Sequence, residues 1–380
     1  MSGRHSAPEP DGAGNGTSLE ILPVHGIGDV TPGDDLAALI ADAAPWLRDG
    51  DVLVVTSKIV SKAEGRLVDV PVDGPERAAA REETLAAETA RPVARRGQTR
   101  IVQTHHGFVM AAAGIDASNV DPSRLVLLPK DPDASARALR ATLRERHGVD
   151  VAIIISDTMG RPWRNGLTDV ALGAAGIGPI RDHRGEIDAY GNELHITEMA
   201  VVDELAGAGE LVKGKCDQVP VAVVRGYLRT ARPDDGAGAV ALIRDAAQDL
   251  FSLGTAEATA AGFLAAATMA DPLALPAEPV RATAVARAIA AVAGVIAPGT
   301  AFTHTTDPEI RDELAPDAPV GATGLILCRL PAPAAPVDLI RFGADLHRLR
   351  AALAAEGVPS APLPMPPPGD DHTLTTILAV

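Results

Sequence analysis

The run DVLVVT (51–56) is almost wholly apolar, as a strand buried on both faces reads, and it delivers Ser57, Lys58 and, one helical turn on, Lys62. Ligands of α/β proteins gather outside the carboxyl ends of parallel strands. A helix beginning there would aim backbone N–H groups at an anion, so Ser57 and Lys62 outline a phosphate cradle. A solvated basic turn would present the same residues. Asp157 and Thr158 follow a second buried run, VAIIIS (151–156). A carboxylate at a strand tip beside a hydroxyl suits a hard divalent cation, which takes oxygen ligands and keeps several waters. Asp116, in GIDASN (114–119), is a second carboxylate in a loop; taken alone it reads better as an N-cap or Asx turn.

Three further segments carry chemical groups. Trp163 lies between Arg161 and Arg164. Two guanidiniums beside an aromatic ring suit a planar anionic ligand, and a capped surface loop is the alternative. The turn GIGDVTPG (26–33) lacks the lysine of a P-loop, and no GxxxxGK[ST] occurs anywhere, so taken alone it reads better as a plain turn. His105 and His106 are adjacent and would face opposite ways in a strand, so they do not share a metal. Tyr190–Glu193 and Lys213–Lys215 read as hairpin-like turns.

The bulk composition narrows the field. A formal charge of −16 over 380 residues and only nine aromatic side chains argue against nucleic acid, which needs a cationic face and stacking platforms. Two cysteines build neither a disulfide framework nor a zinc ribbon. The longest apolar stretch near the C-terminus, 288–297, is too short to span a bilayer, so a soluble cytoplasmic protein with no membrane contact is expected. Of 34 cationic residues only five are lysine, and four of those fall in two short segments, 58–62 and 213–215. A rare lysine in an arginine-rich chain hints at a site that needs a compact ammonium.

The elements that position these groups follow from periodicity. Residues 1–18 read as a disordered leader. Helices are predicted over 36–47, 76–96, 133–147 (closed by Gly148), 197–211 and 239–250. Strands are predicted over 51–56, 101–113 (a pair around Gly107), 125–128, 151–156 and 219–224. The fold class is α/β, mixed sheets with helices, up to residue 255. From 256 to 380 alanine and proline dominate, with proline breaks at 331–336 and 362–368 and helix-like stretches at 285–295 and 345–356, a small mainly helical region.

Taken in order, LPV (22–24), PGDDL (32–36), VVTSKIVSK (54–62) with Glu64-Gly65, GFV (107–109), AGIDASN (113–119), DTMGRPWRNG (157–166), YGNEL (190–194), DEL (203–205) and KGK (213–215) closely resemble the coenzyme F420-0:L-glutamate ligase family. The resemblance spans about residues 20–255 and implies a non-Rossmann ligase domain over 19–255. It implies GTP-dependent addition of L-glutamate to the lactyl-phosphate arm of coenzyme F420-0, repeated to give a γ-linked oligoglutamate tail. By the same resemblance Ile27, Gly28, Asp29, Val30, Ser57, Lys62 and Asn119 hold GTP, and Asp116, Asp157 and Thr158 hold magnesium or manganese. The resemblance also implies that potassium assists and that the protein is a homodimer. Some relatives carry a fused FMN-binding nitroreductase-type domain. The region 256–380 resembles a shortened remnant of it, without the arginine-rich opening that would grip the FMN phosphate, since 264–273 reads LAAATMADPL.

Amide synthesis needs an activated carboxylate, so the GTP γ-phosphoryl group would give an acyl phosphate for the glutamate amine to attack. Lys62 and the metal would neutralise charge on the transferring phosphate, and Arg161 and Arg164 would meet substrate anions. A bifunctional ligase with FMN-dependent reductase activity, a metal-dependent nucleotide hydrolase and a non-catalytic GTP-binding protein are the rival readings. A chain ending near Thr255 is expected still to ligate.

Overall fold

The computed structural model describes residues 18–276, 278–331, 333–364 and 373–380. The leader predicted for 1–18 lies, apart from Ser18, outside the described residues, as does part of the proline-rich segment 362–368. The chain divides into two compact units between Ala258 and Thr259.

In the first unit five strands form one mixed sheet. In chain order they are β1 (Glu20–Val24), β2 (Val52–Thr56), β3 (Ala152–Arg161), β4 (Arg164–Ala175) and β5 (Val221–Arg225), and their spatial order is β1-β5-β2-β3-β4. Only β2 and β3 run parallel, with Val52 opposite Ala152 and Thr56 opposite Ser156. The continuous apolar runs have the meaning expected of them. Leu53, Val55, Ile153 and Ile155 point into one core with Ile40, Val60 and Leu139. Their neighbours Val52, Val54 and Ile154 point into another with Val202, Leu205 and Ala206. Because side chains alternate along a strand, a run buried on both faces must be apolar throughout.

Helices α1 (Leu36–Ala43), α2 (Ser57–Ala63) and α3 (Pro132–His147) belong to the first core, and α4 (Val201–Lys213) to the second. Helix α1 stops short of the expected 36–47 because Pro45 disfavours helical backbone before it. Helix α3 is capped at its start by the Asp131 carboxylate on Ala134 N–H, 2.9 Å, and at its end by left-handed Gly148. Helix α4 lies so close to β2 that a Cβ on Gly209 would sit 2.8 Å from Val54 Cβ. That approach sets the height at which the last residue of α4, Lys213, meets the sheet.

Two predicted helices are corrected. The helix begun over 76–96 is Gly74–Ala87, and Thr89–Arg96 is instead a bulged strand paired with Thr99–Thr104, because Pro92 cannot sit in a helix interior and the partner strand takes up its backbone groups. Over 239–250 only a 3-10 turn, Ala239–Leu242, forms. There the Asp133 carboxylate captures the N–H groups of Ala239 (2.7 Å) and Val240 (3.2 Å), and Asp245 and Asp249 capture those of Ala247 and Phe251. Such side-chain acceptors compete with helical bonds. Asp116 is fixed by backbone bonds in both directions to Val126, in the strand Arg124–Val126 that pairs with Leu67–Asp69.

The second unit has its own core. An antiparallel sheet ordered Ala301–Thr305, Leu325–Leu330, Leu374–Ala379, Ala361–Pro362 packs Ile326, Cys328 and Leu378 against Val285, Leu349 and Leu353 of the helices Ala282–Val292 and Pro336–Ala355. Helices predominate, as the composition suggested, around a sheet it did not reveal. Among the described residues no helix is long and apolar enough to cross a membrane.

Candidate active site

The parallel pair β2 and β3 ends where α2 begins, and four of the five lysines converge there. Lys62, 8% exposed, donates to Asp29 Oδ1 at 2.7 Å and to the backbone oxygen of Asn119 at 2.9 Å. Lys58 donates to Asp116 Oδ2 at 2.6 Å and to Ser118 Oγ at 2.8 Å. Ser57 is buried at the first position of α2, behind Thr56, whose own side chain makes no capping bond. Ile27 and Val30 turn their side chains into the first core, so only their backbone faces the site, whereas Gly28 and Asp29 are exposed. Asn119 holds a left-handed conformation, φ 53°, that presents its carbonyl to Lys62.

Asp157 lies within β3 rather than at its tip, since the strand runs on to Arg161. Burial pushes its carboxyl up to about 6, helped by the negative charges of Asp169 and Asp116 and opposed by bonds from Thr158 N–H and the Ser57 hydroxyl. Burial also works to raise Asp116, but Lys58 and the N–H and hydroxyl of Ser118 outweigh it and hold that carboxyl below its usual range. Two carboxylates that repel each other, one of them raised, form a pair that a divalent cation would relieve.

Thr158 leaves the strand on the opposite face from Asp157, as alternation requires. There it joins a buried network that the sequence reading missed. Thr158 Oγ1 donates to Asp169 Oδ1 at 2.9 Å, and Asp169 Oδ2 accepts from Lys213 at 2.8 Å and from Ser156 Oγ at 2.8 Å. Lys213, 3% exposed, also reaches Ser156 Oγ at 2.9 Å and lies 3.4 Å from Glu210 Oε2. Lys215 bonds Thr158 Oγ1 at 2.7 Å and Glu210 Oε1 at 2.5 Å. Lys213-Gly214-Lys215 is thus no hairpin but the end of α4 and its exit. Burial favours the neutral Asp169, yet the charge and hydrogen bond of Lys213, with those of Ser156 and Thr158, hold its carboxyl below the ordinary value.

The expected metal ligands therefore divide: Asp116 and Asp157 share one side of β3, and Thr158 faces the other. Among the described residues no three or more His, Cys, Asp or Glu side chains gather to hold an ion. A cation here would rest on few protein oxygens and keep water or substrate oxygens besides, which fits magnesium. Arg161 and Arg164 are not brought to the lysines. They flank the β3–β4 turn, about 13 Å of strand beyond Asp157, with Trp163 82% exposed between them at φ 56° and edge-on to Phe251. His105 and His106 bond the backbone oxygens of Ala87 and Pro129, each at 3.0 Å.

The family model of F420-0:gamma-glutamyl ligase matches residues 26–226, the span that holds every group just described except Phe251. The chain belongs to this family. The coenzyme F420:L-glutamate ligase of Methanopyrus kandleri is 43% identical over 250 residues, 62% of this chain and 98% of the relative. That of Methanothermobacter thermautotrophicus is 42% identical over 250 residues, 61% of this chain and 98% of the relative. The enzyme of the same name from Haloarcula marismortui is 42% identical over 251 residues, 61% of this chain and 95% of the relative. As a member of the F420-0:gamma-glutamyl ligase family, the chain carries its lysine and aspartate cluster inside the matched span and its second unit outside it.

Proposed function

We propose that this chain joins L-glutamate to coenzyme F420-0 at the expense of GTP, through an acyl phosphate, and that repeated additions give a γ-linked oligoglutamyl coenzyme F420. The observation that carries this is the placement of Lys58 and Lys62 beside the paired carboxylates Asp116 and Asp157, where β2 gives way to α2. Compact ammonium groups beside paired carboxylates suit a nucleoside triphosphate whose charge must be neutralised during transfer.

In this reading the backbone of Ile27–Val30, the Ser57 hydroxyl and Asn119 hold the nucleotide, and Lys62 meets a phosphate oxygen. Asp29 is well placed to release it, since its side chain is mostly in solvent. A carboxylate oxygen of coenzyme F420-0 attacks the γ-phosphorus and GDP leaves. The glutamate amine then attacks the acyl carbon, phosphate leaves and the amine loses a proton. Magnesium or manganese would neutralise phosphate charge when bound, one ion held by Asp116 and Asp157 and another at Thr158 on the opposite face of β3; potassium is a further expected aid. Arg161 and Arg164, exposed on the hairpin turn, suit the approach of an anionic substrate rather than the transfer itself.

The same reading gives a cytoplasmic homodimer. Trp163, Leu167, Ile187, Tyr190 and Ile196 are large apolar side chains left exposed on the first unit, and a second copy would cover them. The second unit is taken as a shortened nitroreductase-like region that binds no flavin. Incubation of the full chain with GTP, glutamate, magnesium and purified deazaflavin precursor tests the function by mass: an added glutamyl unit supports it. GTP turnover without an amine acceptor would favour the hydrolase reading instead.

A further inference from the structure

The Lys213–Asp169 pair has no place in the mechanism above, yet it is the most deeply buried ion pair of the site, with both side chains 3% exposed. An ion pair removed from water gains little net stability over an apolar pair of similar volume. What it touches is more telling. Asp169 stands directly across the hairpin from Thr158, and one of its oxygens accepts the Thr158 hydroxyl proton at 2.9 Å while the other is held by Lys213 and Ser156. The hydroxyl has a single proton. Once that proton is committed to Asp169, the oxygen's lone pairs must face away from the network, toward the open side of the site. A cation already stands there: the ammonium of Lys215, 2.7 Å from the same oxygen and itself largely exposed.

We propose that Asp169, fixed by Lys213, is a positioning residue that turns the lone pairs of Thr158 outward so that its oxygen receives a divalent cation, with Lys215 occupying that position until the ion arrives. The inference rests on the reading of Thr158 as a cation ligand in the proposed ligase. The arrangement has the form seen around metal sites generally, where an outer carboxylate fixes the orientation of a ligand and its loss weakens metal binding about 10- to 100-fold.

Mn2+ binding to the full chain, titrated by electron paramagnetic resonance alone and again with GDP, separates the outcomes. Thr158→Val measures the ligand itself. Asp169→Leu combined with Lys213→Met removes acceptor and buried charge together, so no unpaired ion is left to unfold the protein; Asp169→Asn keeps an acceptor without the charge. Thermal melting checks each fold. Thr158→Val is expected to weaken Mn2+ binding about tenfold or more. The Asp169→Leu/Lys213→Met variant should do so to a similar extent, and Asp169→Asn less. Adding Thr158→Val to the double variant should change affinity by less than about twofold, because both act through one oxygen. If Thr158→Val weakens binding but the double variant binds Mn2+ like wild type, or the effects multiply, the positioning role is overturned and the ligand reading stands. If Thr158→Val leaves Mn2+ binding unchanged, both fall.

Discussion

Replacing Lys62 by methionine probes the phosphate cradle at its centre. The side chain is 10% exposed, and its ammonium makes two bonds, 2.7 Å to Asp29 Oδ1 and 2.9 Å to Asn119 O. Methionine keeps the stem and roughly the volume, so packing is largely preserved. The Asp29 side chain is 81% exposed and rehydrates when released, which leaves chiefly the Asn119 carbonyl to lose a partner, about 1 kcal/mol of stability. The larger effect falls on the nucleotide. A charge-assisted contact to a phosphate oxygen is worth about 1.5–3 kcal/mol, and about 1.4 kcal/mol is tenfold, so kcat/KM for GTP should fall roughly 10- to 150-fold. Lys62→Arg should recover little, because a planar fork does not replace a point charge in a closed space beside the Asn119 carbonyl. Initial rates of GDP release at varied GTP and saturating glutamate give the number, and thermal melting confirms the fold. Full activity of Lys62→Arg, or a folded Lys62→Met variant within about threefold of wild type, would refute the cradle.

Asp157→Asn should abolish ligation while the protein stays folded, because the amide keeps the shape and loses the charge that a hard cation needs; near-normal rates at limiting magnesium would remove Asp157 from the ligand set. Arg140, 1% exposed, bonds Val151 O, Asp234 O, Asp235 and Asp150. Arg140→Met should therefore cost about 3 kcal/mol, near the low end for a broken buried pair because both carboxylates stay partly solvated, and calorimetry should find the melting temperature lower by about 6 °C or more. A chain ended at Thr255 would lose Glu257, the ion-pair partner of Arg91 and acceptor of Gly254 N–H at 2.7 Å. One ended after Ala267, where that helix closes, should keep ligation, and the full chain should show no flavin absorbance; a yellow protein, or a folded truncation without activity, would contradict this.

Much of the site was legible because its parts are local. Two continuous apolar runs located β2 and β3, and their ends placed Ser57, Lys62 and Asp157. The scarcity of lysine pointed to 58–62 and 213–215, and those are the residues that converge. What stayed hidden depends on pairing. Asp169 carries no signal of its own, because nothing in RNGLTDVALGAA marks it until β4 is laid against β3 with Asp169 opposite Thr158. Lys213 read as part of a hairpin-like turn because its burial depends on α4 packing closely on β2, where Gly209 meets Val54, a contact between distant segments. The division of Asp157 and Thr158 to opposite faces was implicit in the strand once Asp157 was known to lie inside it rather than at its end. The lost helix at 239–250 has a similar cause, since the Asp133 carboxylate that dismantles it comes from more than 100 residues away.

In the proposed function, the lysines and aspartates around β2 and β3 drive glutamate addition with GTP. Mass spectrometry of the deazaflavin product, after incubation with GTP, glutamate and magnesium, tests it most directly in wild type beside Lys62→Met and Asp157→Asn. The expected result is a glutamyl unit added by the wild type, with one GDP formed for each, and none by Asp157→Asn. Glutamate addition that proceeds unchanged without GTP, or in Asp157→Asn, would contradict the account.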